Sequence, residues 1–320
     1  MAFISLKTIK GKKRYYLEKS IRLSDNKIKK ISVYLKNYGN NKNYNINKYK
    51  ETLNNKATDL LLNYYSNFYK KSEIFDENTI KEIEKIRIDY KELIKRINKK
   101  QFQDIIDRFT VNFTYESNAI EGSSLTLKDV TFILHENKIL SGKDLREVYE
   151  TLNTREAIKL IFNNKLRINE NDIIKLHKIL VKNTQVSFGY KRLPNFLLNR
   201  NLKTIPPEKV KEEMDSLIDW YNKTHDIHPL ERAAIFHGKF EKIHPFEDGN
   251  GRVGRLLIDI MLINSNYPPL IIRKTHRISY FNALEAFDNG YTIKLNRFLI
   301  EKYKDTYEKF FKVYVKYLKQ

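Results

Sequence analysis

A mainly α-helical protein with a small β appendage at its N-terminus is the fold class this sequence predicts, and three observations predict it. Apolar residues recur at helical spacing in segments spread from about residue 56 to the C-terminus. Strand-type alternation is confined to the first fifty residues, and a glycine-rich turn near residue 250 opens a strongly apolar helix. The chain divides accordingly into a small basic β-hairpin with its linker over 1–50, a helical region over 51–115 and a larger helical domain over 116–320.

In the first segment Tyr15, Leu17, Ile21 and Leu23 share one strand face, a turn falls around Ser24 to Lys27, and Ile31, Val33 and Leu35 return. Asn37 to Asn47 follows as a polar linker. The net charge of +21 is concentrated here, with fourteen Lys or Arg in residues 1–50 against only Glu18 and Asp25. Such a basic, tyrosine-bearing hairpin can take nucleic acid or an acidic partner through phosphate contacts and stacking, or it is simply a solvated lysine-rich surface. Leu60, Leu61, Tyr64 and Phe68, then Ile80 to Ile97, give two helical patterns that pair as an αα-hairpin.

The chemistry is concentrated in HPFEDGNGRVGR, His244 to Arg255. Gly249 and Gly251 allow a tight turn whose backbone N–H groups approach an anion unobstructed by a Cβ. The helix that follows points its positive dipole end and unpaired donors at the same place. Arg252 and Arg255, three apart, present guanidinium forks on one side of it. Asp248 is a hard oxygen ligand suited to Mg²⁺, and His244 supplies an imidazole, whose unperturbed pKa of roughly 6.5 suits that residue type to accept a proton near neutrality. The lysine of GxxxxGK[ST] and the spacing of GxGxxG are both missing.

This run resembles the signature of the Fic family, His-Pro-Phe-x-(Asp/Glu)-Gly-Asn-Gly-Arg-x-x-Arg, at all nine defined positions. The resemblance extends upstream. Asp226 to Ile243 looks like the family's helix that delivers the catalytic histidine, with His237 as a structural histidine. Gly189 to Val210 looks like its flap, a short hairpin that holds a target segment by strand addition, with Phe196, Leu197 and Leu198 as docking candidates. Asn153 stands where the family has a recurring Asn, and Tyr280 resembles the tyrosine that helps enclose the adenosine, with Asp288 or Asn289 downstream. SNAIEG, Ser117 to Gly122, matches the family's inhibitory pattern. Ser117 and Glu121 are i and i+4 on a helix, so both face one way, and the Glu121 carboxylate can fork with Arg255 and deny it the γ-phosphate.

The resemblance implies a Fic-fold enzyme, autoinhibited from its own N-terminal side, that moves AMP from ATP onto a Ser, Thr or Tyr hydroxyl of a protein, its own chain being one candidate. His244 would be the base. Asp248, Gly249, Asn250, Gly251, Arg252, Arg255 and Tyr280 would bind nucleotide, with Mg²⁺ on Asp248. Two other readings stay open: AMP removal at the same site with Glu121 positioning water, and a non-catalytic nucleic-acid or protein-binding module. Toxin-type Fic kinases have Lys in place of Gly251, which argues against direct phosphorylation. With no cysteine, no signal-like leader and no apolar run of membrane-spanning length, the expected setting is the cytoplasm, away from membranes, with a homodimer open.

Overall fold

Strands β1 (Ala2–Ile9), β2 (Lys12–Arg22) and β3 (Ile28–Tyr34) form an antiparallel meander in that order. In this computed structural model the described residues are 2–23, 27–38, 45–136, 141–197 and 202–317. The chain forms two compact units, residues 1–69 with 77–88 and residues 70–76 with 89–320.

In the first unit one sheet face is apolar. Leu17 and Leu35 pack on Leu53, and Ile21 and Leu23 on Ala57, both from helix α1 (Asn47–Phe68). The expected αα-hairpin thus gives way to a helix on a sheet, because the apolar face of α1 is used on the strands. Helix α2 (Glu77–Arg96) meets α1 where the Arg87 guanidinium stands 4.0 Å over the Tyr65 ring. Strand β1 lies outside the two-stranded expectation. It is an edge strand exposed at seven of its eight positions, so neither face imposes an alternation to read. Lys10 and Gly11, with φ of 49° and 72°, form the tight turn that joins it to β2. The expected turn falls largely on residues 24–26, outside the described residues.

The second unit is helical. Helix α3 (Lys99–Ile120) starts with an Asn98/Gln101 capping box, α4 (Leu127–Thr131) runs on into a π-turn to Glu136, and α5 (Leu145–Phe162) and α6 (Glu170–Leu180) follow. A hairpin of β4 (Phe196–Leu197) and β5 (Leu202–Lys203) precedes α7 (Pro207–Lys223). At the centre are α8 (Pro229–Ile243) and α9 (Asn250–Asn264), then α10 (Arg277–Asp288), α11 (Thr292–Thr306), a second π-turn and α12 (Lys312–Tyr317). Helix α9 is buried continuously from Arg252 to Leu262, which explains its apolar sequence on every side. Two glycines let helices close in: between α9 and α8 a Cβ on Gly254 would stand 2.7 Å from Glu241 Oε1 and 2.8 Å from the His237 ring, and between α8 and α10 one on Gly238 would stand 2.7 Å from the Phe287 ring. Among the described residues no helix is long and apolar enough to cross a membrane.

Candidate active site

His244 caps the C-terminus of α8 in the left-handed conformation, φ 51° and ψ 62°, with its N–H donating to Phe240 O at 2.9 Å. That backbone costs a non-glycine residue roughly 1 kcal/mol, and it turns the chain sharply out of the helix. The His244 Nδ1 lies 3.3 Å from Glu241 O and 3.9 Å from Glu241 Oε2. A carbonyl only accepts, so Nδ1 carries the proton and Nε2 is the basic nitrogen. The segment leading to the hairpin is fastened here, because Tyr190 bridges Phe246 and Lys191 N donates to Pro245 O at 2.8 Å. The buried Lys191 ammonium donates to Asn195 Oδ1, Thr204 Oγ1 and Ile243 O, and burial lowers its pKa to about 8.

The loop after His244 is shaped by side chains turned onto its own backbone. Asn250 Oδ1 accepts from Phe246 N at 2.9 Å and its Nδ2 donates to Phe246 O at 2.8 Å. With Gly249 at φ 83°, this closes the turn and aims the first N–H groups of α9 at one spot. Beneath it lies His177 of α6, which the sequence reading missed. Its ring stacks on Phe246 at 3.8 Å, its Nδ1 accepts from Gly189 N, and its Nε2 therefore donates to Asp248 O at 3.0 Å. The only sequence signal was a histidine among the apolar positions Ile173, Leu176 and Leu180, the pattern of an ordinary core residue.

Burial pushes the His177 pKa down from 6.5 to about 4. The unfolded chain therefore takes up a proton that the folded chain refuses between those values. Stability present above pH 6.5 is expected to fall as the pH drops through that window, by up to about 3 kcal/mol. His177→Gln, which cannot protonate, should flatten the thermal midpoint between pH 6.5 and 4. An unchanged slope would assign the acid sensitivity elsewhere.

The guanidiniums are buried and committed. Arg255, 2% exposed, donates from Nε to Ser117 Oγ at 3.0 Å and from Nη2 to Ser117 O at 2.9 Å and Glu121 Oε1 at 2.7 Å. Burial works against its charge, but Glu121 and Tyr280 beside it outweigh that and raise its pKa. Its Nη1 has no partner among the described residues. The Glu121 carboxylate fills the space where a Cβ on Gly251 would stand. Arg252 Nη1 meets Glu150 Oε1 at 2.8 Å and its Nη2 meets Asp248 Oδ1 at 3.4 Å. Arg146 of α5 bridges Glu150 and Asp248 in turn. Burial pushes the Asp248 carboxyl up, yet Arg252, the Gly249 N–H and Arg146 hold it below its ordinary range. Arg146 and Glu150 were legible only as an i,i+4 ion pair on a helix surface.

Asp248 suits a hard cation in its chemistry: an oxygen donor, ionised and 40% exposed at the mouth of the turn. Among the described residues no group of three or more potential ligands surrounds it.

The remaining expected residues lie further out or deeper. Tyr280 is 1% exposed, its hydroxyl 2.7 Å from His237 Nε2 and its ring 6.0 Å from the Arg255 guanidinium, so it sits under the arginine. His237 is fully buried against it, as a structural histidine. Asn153 ties α5 to the end of α6 through Leu180 O and Lys182 O. Phe196 and Leu197 form β4, and Leu198 lies outside the described residues.

Residues 167–262 match the Fic/DOC family. The chain is 33% identical over 186 residues to protein adenylyltransferase fic-1 of Caenorhabditis elegans, covering 56% of this chain and 36% of that protein. It is 33% identical over 183 residues to protein adenylyltransferase Fic of Nematostella vectensis, covering 55% and 43%. It thus spans well under half the length of these curated relatives. In structure it is similar to a Fic-domain-containing signalling protein of Bacteroides thetaiotaomicron, with TM-score 0.66 and 25% identity over 74% of this chain and 96% of that one. The fold is shared with C. elegans Fic-1 as well, at TM-score 0.63 and 23% identity over 74% and 72%.

Proposed function

The chain belongs to the Fic/DOC family, and from that premise we propose that it is a protein adenylyltransferase, moving AMP from ATP to a Ser, Thr or Tyr hydroxyl of a protein, its own chain included. One observation carries this reading: the cradle of Gly251 and Arg255 already holds an anion, the Glu121 carboxylate, 2.7 Å from Arg255 Nη2. A site that selects an internal carboxylate there is built for a phosphate group. The curated relatives of C. elegans and N. vectensis, named as protein adenylyltransferases, support the same direction.

His244 Nε2 accepts the proton as the hydroxyl oxygen attacks the α-phosphorus; the bond to the α,β-bridging oxygen breaks and pyrophosphate leaves. The N–H groups of the Gly249 to Gly251 turn and Arg252 stabilise the charge that develops on the α- and β-phosphates. Asn250 acts through the shape it imposes on that turn, since both its amide atoms are used on Phe246. Asp248 would hold Mg²⁺, which when bound neutralises phosphate charge. Arg255 takes the γ-phosphate once Glu121 releases it, with Tyr280 supporting the guanidinium from below. In the structure's arrangement the enzyme is therefore read as autoinhibited.

The test is incubation of the purified chain with Mg²⁺ and ATP labelled at the α-phosphate or at the γ-phosphate. Label on protein from the α position alone is expected. Label from the γ position, or from neither with Glu121 replaced, would overturn the assignment.

A further inference from the structure

The basic N-terminal segment contributes no residue to the Fic/DOC match, and its register sorts its residues into two unlike faces. Directly paired residues share a face. Ser5↔Tyr16↔Tyr34, Phe3↔Glu18↔Ser32 and Lys7↔Arg14 therefore lie on the face opposite the Leu17, Ile21 and Val33 side that packs on α1. On this outer face every aromatic ring is paired with a cation: Lys7 is 5.0 Å from the Tyr16 ring centre, Arg14 5.8 Å from Tyr34 and Lys30 5.2 Å from Phe3. Tyr16 and Tyr34 lie 5.5 Å apart, centre to centre.

The arrangement is organised from below. Glu18 is fully buried in the middle of the face and bridges Lys7, at 2.6 Å, and Lys30. Those two lysines, with Ser5, hold its carboxyl down at about 2, so the ammonium groups stay anchored at any physiological pH. Two cations on the sunken carboxylate, with Arg14 beside Tyr34, leave the surface net positive, and the outer two rings remain open, Phe3 at 47% and Tyr34 at 44% exposure, while Tyr16 between them is half-buried. Ring pairs also stabilise an ordinary sheet surface and an acidic protein also uses rings beside charges, so the duplex and polyglutamate comparisons below separate those readings. Rings and cations interleaved at this spacing match a polymer that alternates flat bases with phosphates. A duplex hides its base faces in the stack, whereas a single strand offers them.

We propose that the outer face of the β1–β2–β3 sheet is a binding site for single-stranded nucleic acid, with Phe3, Tyr16 and Tyr34 as stacking platforms and Lys7, Arg14 and Lys30 as phosphate contacts. The assignment is independent of the transferase reading, because none of these residues belongs to the Fic/DOC match.

The experiment is fluorescence anisotropy of the full chain with a labelled twelve-nucleotide single-stranded DNA between about 50 and 200 mM salt, the range over which phosphate contacts declare themselves. Three phosphate contacts predict a slope of log K against log salt near −2. Phe3→Ser and Tyr34→Ser, on different strands and both at exposed positions, should each weaken binding roughly 10-fold with the slope unchanged. Arg14→Gln should weaken it and reduce the slope by about 0.7. A matched duplex should bind more weakly than the single strand. No binding at the lowest salt would overturn the proposal. So would equal affinity for duplex, single strand and polyglutamate with both ring variants unchanged, since that pattern belongs to undirected charge. Unaltered thermal midpoints of the variants establish that lost affinity is lost contact.

Discussion

His244→Ala is expected to reduce AMP transfer by about 10² to 10⁴ while leaving nucleotide affinity nearly intact, because removing a general base costs that much and no phosphate-facing group is touched. The geometry isolates the effect. His244 projects from the end of α8, whereas the turn, Arg252 and Arg255 belong to the loop and to α9. One complication comes from the backbone, since residue 244 sits at φ 51° and any substitute must tolerate the left-handed region. Asn is among the residues that tolerate it best, so His244→Asn serves as a second variant with the same expected loss. The measurement is single-turnover transfer of α-label beside equilibrium nucleotide binding. Transfer near wild type in both variants would remove His244 from the mechanism, and loss of nucleotide binding in both would make it a residue of the turn instead.

Legibility in the sequence followed how local each feature is. The His244 to Arg255 run was readable because its parts are contiguous and their chemistry is carried by residue type. Helix α1 was readable because Leu60, Leu61 and Tyr64 fall at helical spacing and pack, partly buried, on Ile21, Leu23 and Ala57. Ser117 and Glu121 were tied to Arg255 by a family pattern alone; no periodicity links residues more than a hundred positions apart, and in the structure they meet it at 3.0 and 2.7 Å. What stayed hidden is support from other elements. His177 under the turn, Glu150 and Arg146 around Asp248 and Arg252, and Lys191 at the hairpin's base look in sequence like a core histidine, a helix-surface ion pair and a loop lysine. Asn250 shows the converse: its place in the motif implied a ligand contact, while its amide is occupied by its own loop. Tyr280 was assigned to the adenosine by resemblance; in the structure it lies buried with its ring 6.0 Å from the Arg255 guanidinium.

Glu121→Gly should raise AMP transfer, self-modification included, by on the order of 10- to 100-fold, since releasing a misplaced triphosphate into productive alignment is worth factors of that size. The substitution is mild for the fold. Glu121 is the C-cap of α3, followed by Gly122 at φ 104°, where the helix is already ending, and its side chain is 39% exposed. The arginine it leaves behind does not collapse, because Ser117 still holds Nε and Nη2, so the freed guanidinium waits in place over Gly251. The sign of the change decides: a fall in transfer would sink autoinhibition, and loss of AMP removal from a pre-modified protein in the same variant would favour the hydrolytic reading, in which Glu121 positions water. Adding Arg255→Ala separates two ways in which Glu121 can inhibit. If the carboxylate works by occupying the arginine, the double variant loses the gain, since substitutions acting through one contact are not additive. If the double variant keeps it, the inhibition lies in the volume that the carboxylate fills above Gly251, where the phosphate itself would have to sit.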